Sequence, residues 1–355
     1  HDYLILTHSD LLETESTGFN EVQEYANYRA SQEGGSFNPV IIDVENIFDQ
    51  FGYGVDQHFI GVKSFFNWIN TQWSDAEYIF IIGKGREYGS YRSESAKEAD
   101  PIFYVPTFGH PGSDNLLASE IGKSSPKIPI GRIAVDNSQE IQKYLNKVKG
   151  HAQQLNNPQT IDGKLWMKNI IHLSGGDPSI RNSIKNFLES MENEVEGNKF
   201  GGDVTTITKV SSDPIENSSA EIVRDLINNG ISIITFFGHS AVGTFDLNIE
   251  SVEAYSNKDK YPILISLGCL SGNIHTDTRG LSNEWVLTED KGSIGFLASS
   301  STAFISPQGT LGKDFYNLVG NEYYGSSIGE ILKAIHDLRE SATSTSFETL
   351  MQQLT

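Results

Sequence analysis

Short, continuous apolar runs alternate along the chain with longer segments whose apolar residues recur every three or four positions. The first run is Tyr3–Thr7, followed by a helical pattern over Glu21–Ala30. Pro39–Val44 is a second run. Ile60–Trp73 then places Phe65, Trp68, Ile69 and Trp73 on one helical face. Tyr78–Gly83 is a third run, so the order reads β-α-β-α-β. Such alternation predicts parallel strand pairing with right-handed crossovers. Residues 84–126 are loop-like and rich in Gly, Ser, Pro and Asp, before a strand over Ile128–Val135 and a helix over Ser138–Gln154. The polar turn Asn156–Gln159 marks an expected division into residues 1–157 and 158–355.

The alternation then restarts. Strands are expected at Asn169–Leu173, Val204–Val210, Ile231–Phe237, Tyr261–Leu267 and Ser293–Ala298. Helices are expected at Pro178–Glu194 and Ser219–Asn229. The runs at 231–237 and 261–267 are apolar at nearly every position, which suits strands buried on both faces.

With 355 residues and 37% hydrophobic composition, the chain has enough apolar surface for more than one core. The 46 acidic against 26 basic residues give a net charge of −20, which disfavours a nucleic-acid or anionic-membrane partner. No run approaches the ~20 apolar residues of a membrane-spanning helix. The chain opens at His1 with no signal peptide visible, and it reads as a processed or excised segment.

Cys269 is the single cysteine, so no disulfide can form within the chain. It follows the run 261–267 by one glycine, and His239 follows the run 231–237 by one glycine. Ligands of parallel α/β sheets bind at the carboxyl ends of strands, so neighbouring strands would bring a thiol and an imidazole to one rim. Imidazole beside a thiol is the minimal device for thiolate chemistry, and peptide N–H groups there would hold an oxyanion. An unreactive core cysteine with an unrelated histidine fits the same pattern. Gly83–Gly89 departs by one residue from a dinucleotide fingerprint and reads as a rim loop. No G-x-S-x-G, Walker or H-E-x-x-H motif occurs.

The chain resembles the gingipain family of cysteine peptidases, whose fold is similar to that of caspases and legumains. The resemblance runs through Tyr3–Thr7, Val44–Gly54, Tyr78–Gly83, Val105–Thr107, Ser113–Asn115 and Ile130–Ile133. It is strongest at Phe237-Gly238-His239-Ser240 and at Gly268-Cys269-Leu270-Ser271-Gly272-Asn273, and continues in Gly280–Trp285 and Gly292–Ser300. It implies two stacked caspase-like α/β subdomains, with mostly parallel sheets flanked by helices and the catalytic groups in the second. Cys269 is the implied nucleophile and His239 its acid/base partner, with oxyanion N–H groups at Ser240 and Cys269. Asp177 stands in the loop from which some members orient the histidine, and Phe304 falls where the family has an aromatic S1 wall.

Two departures stand out. Ser240 replaces the usual glycine after the histidine, and residues 179–183 lack the acid that arginine-specific members carry near this loop. The expected activity is therefore peptide-bond cleavage through a thioester acyl-enzyme, without a marked preference for Arg or Lys at P1. It could extend to processing of exported proteins as a sortase of the type IX secretion system. The expected location is secreted or at a bacterial cell surface, and the expected partners are protein or peptide substrates. The alternative is an inactive, gingipain-like binding or scaffold subunit of that machinery. No cofactor is expected. Calcium, held by acidic loops near Asp100, Asp114 and Glu120, is an open possibility carried by the resemblance.

Overall fold

The structure is a computed structural model describing residues 1–12, 20–87, 89, 103–157, 160–209, 217–247, 249–340 and 345–354. Asp100, Val210 and residues 158–159 beside the expected division lie outside this set. Parallel sheets flanked by helices account for the strand runs of both halves.

The first sheet has the order β2-β1-β3-β4, built from β1 (Tyr3–Thr7), β2 (Pro39–Asp43), β3 (Tyr78–Ile82) and β4 (Ile130–Ile133). All its neighbours are parallel. Helices α1 (Glu21–Ala30), α2 (Val44–Phe51), α3 (Phe59–Gln72) and α4 (Ser138–Asn156) belong to this half. Asn20, Asp43, His58 and Asn137 each cap a helix by accepting from a first-turn N–H.

The second sheet has the order β11-β10-β7-β5-β6 and is parallel throughout. Its strands are β5 (Asn169–Ser174), β6 (Asp203–Thr208), β7 (Ile233–Phe237), β10 (Ile263–Leu267) and β11 (Gly295–Ala298). A hairpin of β8 (Ser240–Ala241) and β9 (Thr244–Phe245) stands beyond the end of β7. Alternate residues of one strand serve different cores. Ile170, Ile233, Phe237, Ile265 and Leu267 join one cluster, and Ile171, Leu173, Ile234, Phe236 and Leu264 join the other. Burial on both faces is why these strands read as unbroken apolar runs.

Helix α5 (Arg181–Glu196) starts three residues later than the sequence pattern suggests. Gly176 adopts φ +87°, and residues 178–180 form a turn leading into the helix. Helix α6 (Ile305–Gly320) was not legible in the sequence. It lies alongside α5, with Gly309 against Phe187 and Gly312 against Met191. Between α6 and the sheet, buried Tyr316 Oη lies 3.0 Å from His172 Nε2 and 2.8 Å from Thr235 Oγ1.

The two halves are joined by specific contacts. Lys147 of α4 donates to the carbonyls of Trp285, Val286 and Lys291 at 3.2, 2.9 and 2.6 Å. This caps the end of the short helix Leu281–Leu287, whose last carbonyls have no partner within the helix. Burial pushes Lys147 down to about 7, while three carbonyl acceptors favour its three-donor ammonium form. Arg279 pairs with Asp136 and Glu140, and Arg86 with Asp277 at 2.9 Å.

Candidate active site

The candidate site forms where β5, β7 and β10 end. Phe237 pairs with Leu267 on one side and Ser174 on the other, so these residues close the ladder together. His239 and Cys269 each stand two residues beyond that register, on strands that are direct neighbours about 5 Å apart. Asp177 stands three residues beyond Ser174. The rim thus receives a thiol, an imidazole and a carboxylate from three adjacent strands.

Cys269 sits on a sharp turn. Leu270 has φ +61°, a left-handed conformation that costs a non-glycine residue on the order of 1 kcal/mol. The turn is held open by Leu270 N–H donating to Ser301 O at 2.9 Å and Gly272 N–H to Ser299 O at 3.0 Å. Buried Ser266 and Ser271 hydroxyls meet at 2.7 Å beneath it. The half-buried thiol lies between the two peptide groups of Ala303. The Ala303 N–H approaches Sγ at 3.4 Å, and Sγ lies 3.6 Å from Ala303 O. A thiol can use both contacts, whereas a thiolate retains the first alone. Buried Gln308, in the first turns of α6, donates to Gly268 O at 2.8 Å and so fixes the peptide preceding the cysteine. Ala303 and Gln308 were not legible as site residues, since isolated positions after a strand carry no periodic signal.

His239 is exposed, and its Nε2 lies 3.4 Å from Asp177 Oδ2. The other Asp177 oxygen accepts from Ser179 N at 2.7 Å and Ser179 Oγ at 2.6 Å. These Ser179 bonds, then the His239 contact, lower Asp177 to about 2. It is therefore a carboxylate at any working pH.

Ser240 bridges the two loops through its side chain. Its hydroxyl donates to Cys269 O at 2.7 Å, tying the histidine loop to the cysteine loop. The space for it exists because residue 268 is glycine: a Cβ there would stand 2.1 Å from Ser240 Oγ. Phe304 caps the start of α6, next to Ala303, with 61% of its surface exposed beside the sulfur-bearing turn.

Other titratable groups are occupied elsewhere. His275 is fully buried away from solvent, and desolvation lowers it to about 4. Asp114 is buried against Arg132, with Nε and Nη2 donating at 2.7 and 2.8 Å, and this pairing helps hold it at about 2. Glu120 pairs with Lys127 at 3.2 Å. Among the described residues, no group of three or more His, Cys, Asp or Glu could hold a metal ion. Residues 83–86 after β3 are buried, with Arg132 Nη1 donating to Gly83 O at 2.7 Å and to Val105 O at 2.9 Å.

Fold and rim together define an α/β protein of caspase-like architecture with a cysteine and a histidine at the carboxyl edge of its second sheet. The model of peptidase family C25 matches residues 1–352, and the chain belongs to this family, the gingipain family of cysteine peptidases. The crystal structure of the Arg-specific cysteine proteinase gingipain R superposes with a TM-score of 0.74 at 13% identity, covering 99% of this chain and 75% of that one. The complex of the Porphyromonas gingivalis RgpB pro- and mature domains gives a TM-score of 0.72 at 12% identity, covering 99% and 77%. A structure described only as a protease gives 0.70 at 11% identity, covering 99% and 76%. At these identities the superpositions speak for the fold alone. No curated protein matches the sequence.

Proposed function

We propose that this chain is a cysteine endopeptidase in which Cys269 is the nucleophile, His239 the acid/base and Asp177 the group that orients the histidine. The observation that carries this reading is the register of β7 on β10, with the Ser240 hydroxyl on Cys269 O. Sγ gives its proton to His239 and attacks the scissile carbonyl carbon. The oxyanion that forms is held by the peptide N–H groups of Ser240 and Cys269. His239 returns the proton to the leaving amine as the C–N bond breaks, which leaves a thioester. Water, deprotonated by His239, hydrolyses the thioester and releases Sγ. With Nε2 directed at Asp177, Nδ1 is the nitrogen free to serve the sulfur and leaving group.

Phe304 forms one wall of the S1 pocket in this reading. Asp177 is the only carboxylate between residues 174 and 183, and it is already engaged by Ser179 and His239. A strong Arg or Lys preference at P1 is therefore not expected. The chemistry uses protein groups alone, and calcium would have a structural role if it binds.

Within the family, the narrower role we favour is processing of exported proteins at a bacterial cell surface, as in type IX secretion. There an amine acceptor would replace water at the thioester. Ser240 and the absence of a free P1 acid support that role over general digestion. Cleavage-site profiling of a peptide library by mass spectrometry, with wild type against Cys269→Ala, tests the reading. Cleavage lost in the variant is expected. Equal cleavage by both proteins would refute it, as would wild-type protein inert towards every peptide.

A further inference from the structure

Asp246 was not singled out by any sequence pattern, yet it touches both turns that carry Asp177 and His239. Its N–H donates to His239 O at 2.9 Å. Its Oδ2 accepts from Gly176 N at 2.8 Å and lies 3.7 Å from Lys209 Nζ. Gly176 directly precedes Asp177, and Lys209 follows β6, where its own N–H donates to Ser174 O at 2.9 Å.

The fit around the carboxylate is close. A Cβ on Gly175 would stand 2.1 Å from Asp246 Oδ1, and one on Gly238 would stand 2.6 Å from the same atom. Both glycines leave room for this one oxygen, which is buried without a hydrogen-bond donor. A buried carboxylate oxygen kept without a donor is a cost that needs a reason. Here its surroundings are the two turns that carry Asp177 and His239.

We propose that Asp246 is a positioning residue for the cysteine peptidase reaction. Its carboxylate fixes the Asp177 turn against the His239 turn, so that the imidazole is held where it can protonate the leaving amine. The proposal rests on the Cys269–His239 reading above. The residues flanking Asp246 argue against a purely structural role. Phe245 is buried and stacks on Phe236 with ring centroids 4.0 Å apart, and Leu247 is buried in the same core. These two side chains anchor the segment without help from the carboxylate between them.

The test compares two substrates with different needs. Fluorescein-labelled casein offers an amide whose leaving nitrogen must be protonated. 4-Nitrophenyl acetate offers a phenolate that departs unprotonated, and at pH 9 an ordinary thiol ionises unaided. Asp246→Ala is expected to lower kcat on casein by on the order of 10- to 100-fold, the scale of a misplaced catalytic group. Acylation by the ester should change by less than about 3-fold, the split that separates proton transfer from nucleophilic attack. Asp246→Asn keeps an oxygen for Gly176 N–H and should recover most of the casein rate. Gly175→Ala, whose Cβ would stand 2.1 Å from Oδ1, should reproduce the Asp246→Ala pattern. Equal losses on both substrates, or no loss on either, would overturn the proposal. Casein cleavage that survives Cys269→Ala would instead overturn the thiol reading itself, and wild-type protein inert on both substrates would overturn the two together.

Discussion

Replacing Gly268 with alanine probes the contact that joins the two rim loops. The new Cβ would stand 2.1 Å from Ser240 Oγ, 3.0 Å from Ser240 Cβ and 3.1 Å from Gly238 O. The serine hydroxyl must therefore leave Cys269 O, where it now donates at 2.7 Å. Losing that bond costs about 1 kcal/mol, and overpacking in a closed turn adds roughly 1–3 kcal/mol. The sum is about 2–4 kcal/mol. Ser240→Gly removes both of the nearest obstructing atoms, so in that background Gly268→Ala should cost about 1 kcal/mol or less, from Gly238 O alone. The double variant should thus be more stable than the sum of the singles by roughly 1–3 kcal/mol, well beyond the ~0.5 kcal/mol scatter of independent sites. Urea unfolding followed by tryptophan fluorescence measures each term. Strict additivity would refute the packing argument and remove the link between the histidine and cysteine loops.

Other outcomes follow from the same structure. Buried His172, His275 and His336 are each lowered from 6.5 to about 4 by desolvation. The native state binds fewer protons than the unfolded chain in that window, so stability is full above pH 6.5 and falls as pH drops towards 4. The loss approaches about 3 kcal/mol for each histidine, and a urea midpoint that stays flat from pH 7 to 4.5 would contradict it. Lys147→Met removes a donor from the carbonyls of Trp285, Val286 and Lys291, of which Trp285 O keeps the Ser293 N–H, and should destabilise by about 2 kcal/mol in the same assay. Asp177→Asn weakens the orientation of His239 and should lower kcat by roughly 10-fold with little change in KM, as kinetics on a cleaved peptide would show.

The parts of this fold legible in the sequence were those with a period. Strands such as Ile233–Phe237 and Ile263–Leu267 are buried on both faces, so they read as apolar runs, and the residues at their ends could be named. Their adjacency could not be read. It depends on the order β11-β10-β7-β5-β6, in which consecutive strands of the chain are not always neighbours. Helix α6 was hidden because it carries Gly309 and Gly312, residues unfavourable in a helix interior. The structure explains them: a Cβ at Gly309 would stand 2.5 Å from the Phe187 ring and one at Gly312 2.3 Å from Met191 Cε. Close helix packing outweighs local propensity there. Asp246 and Gln308 are single polar residues whose partners lie 70 and 40 positions away, beyond the reach of local patterning.

Selective labelling of Cys269 shows whether its thiol works together with His239. Native protein is treated briefly with a peptidyl electrophile across a pH series, and the adduct is located by mass spectrometry in wild type and in His239→Ala. Rapid modification of Cys269 at neutral pH is expected, falling by on the order of 100-fold without the imidazole. Labelling equal in both proteins, or labelling that appears only after denaturation, would contradict it.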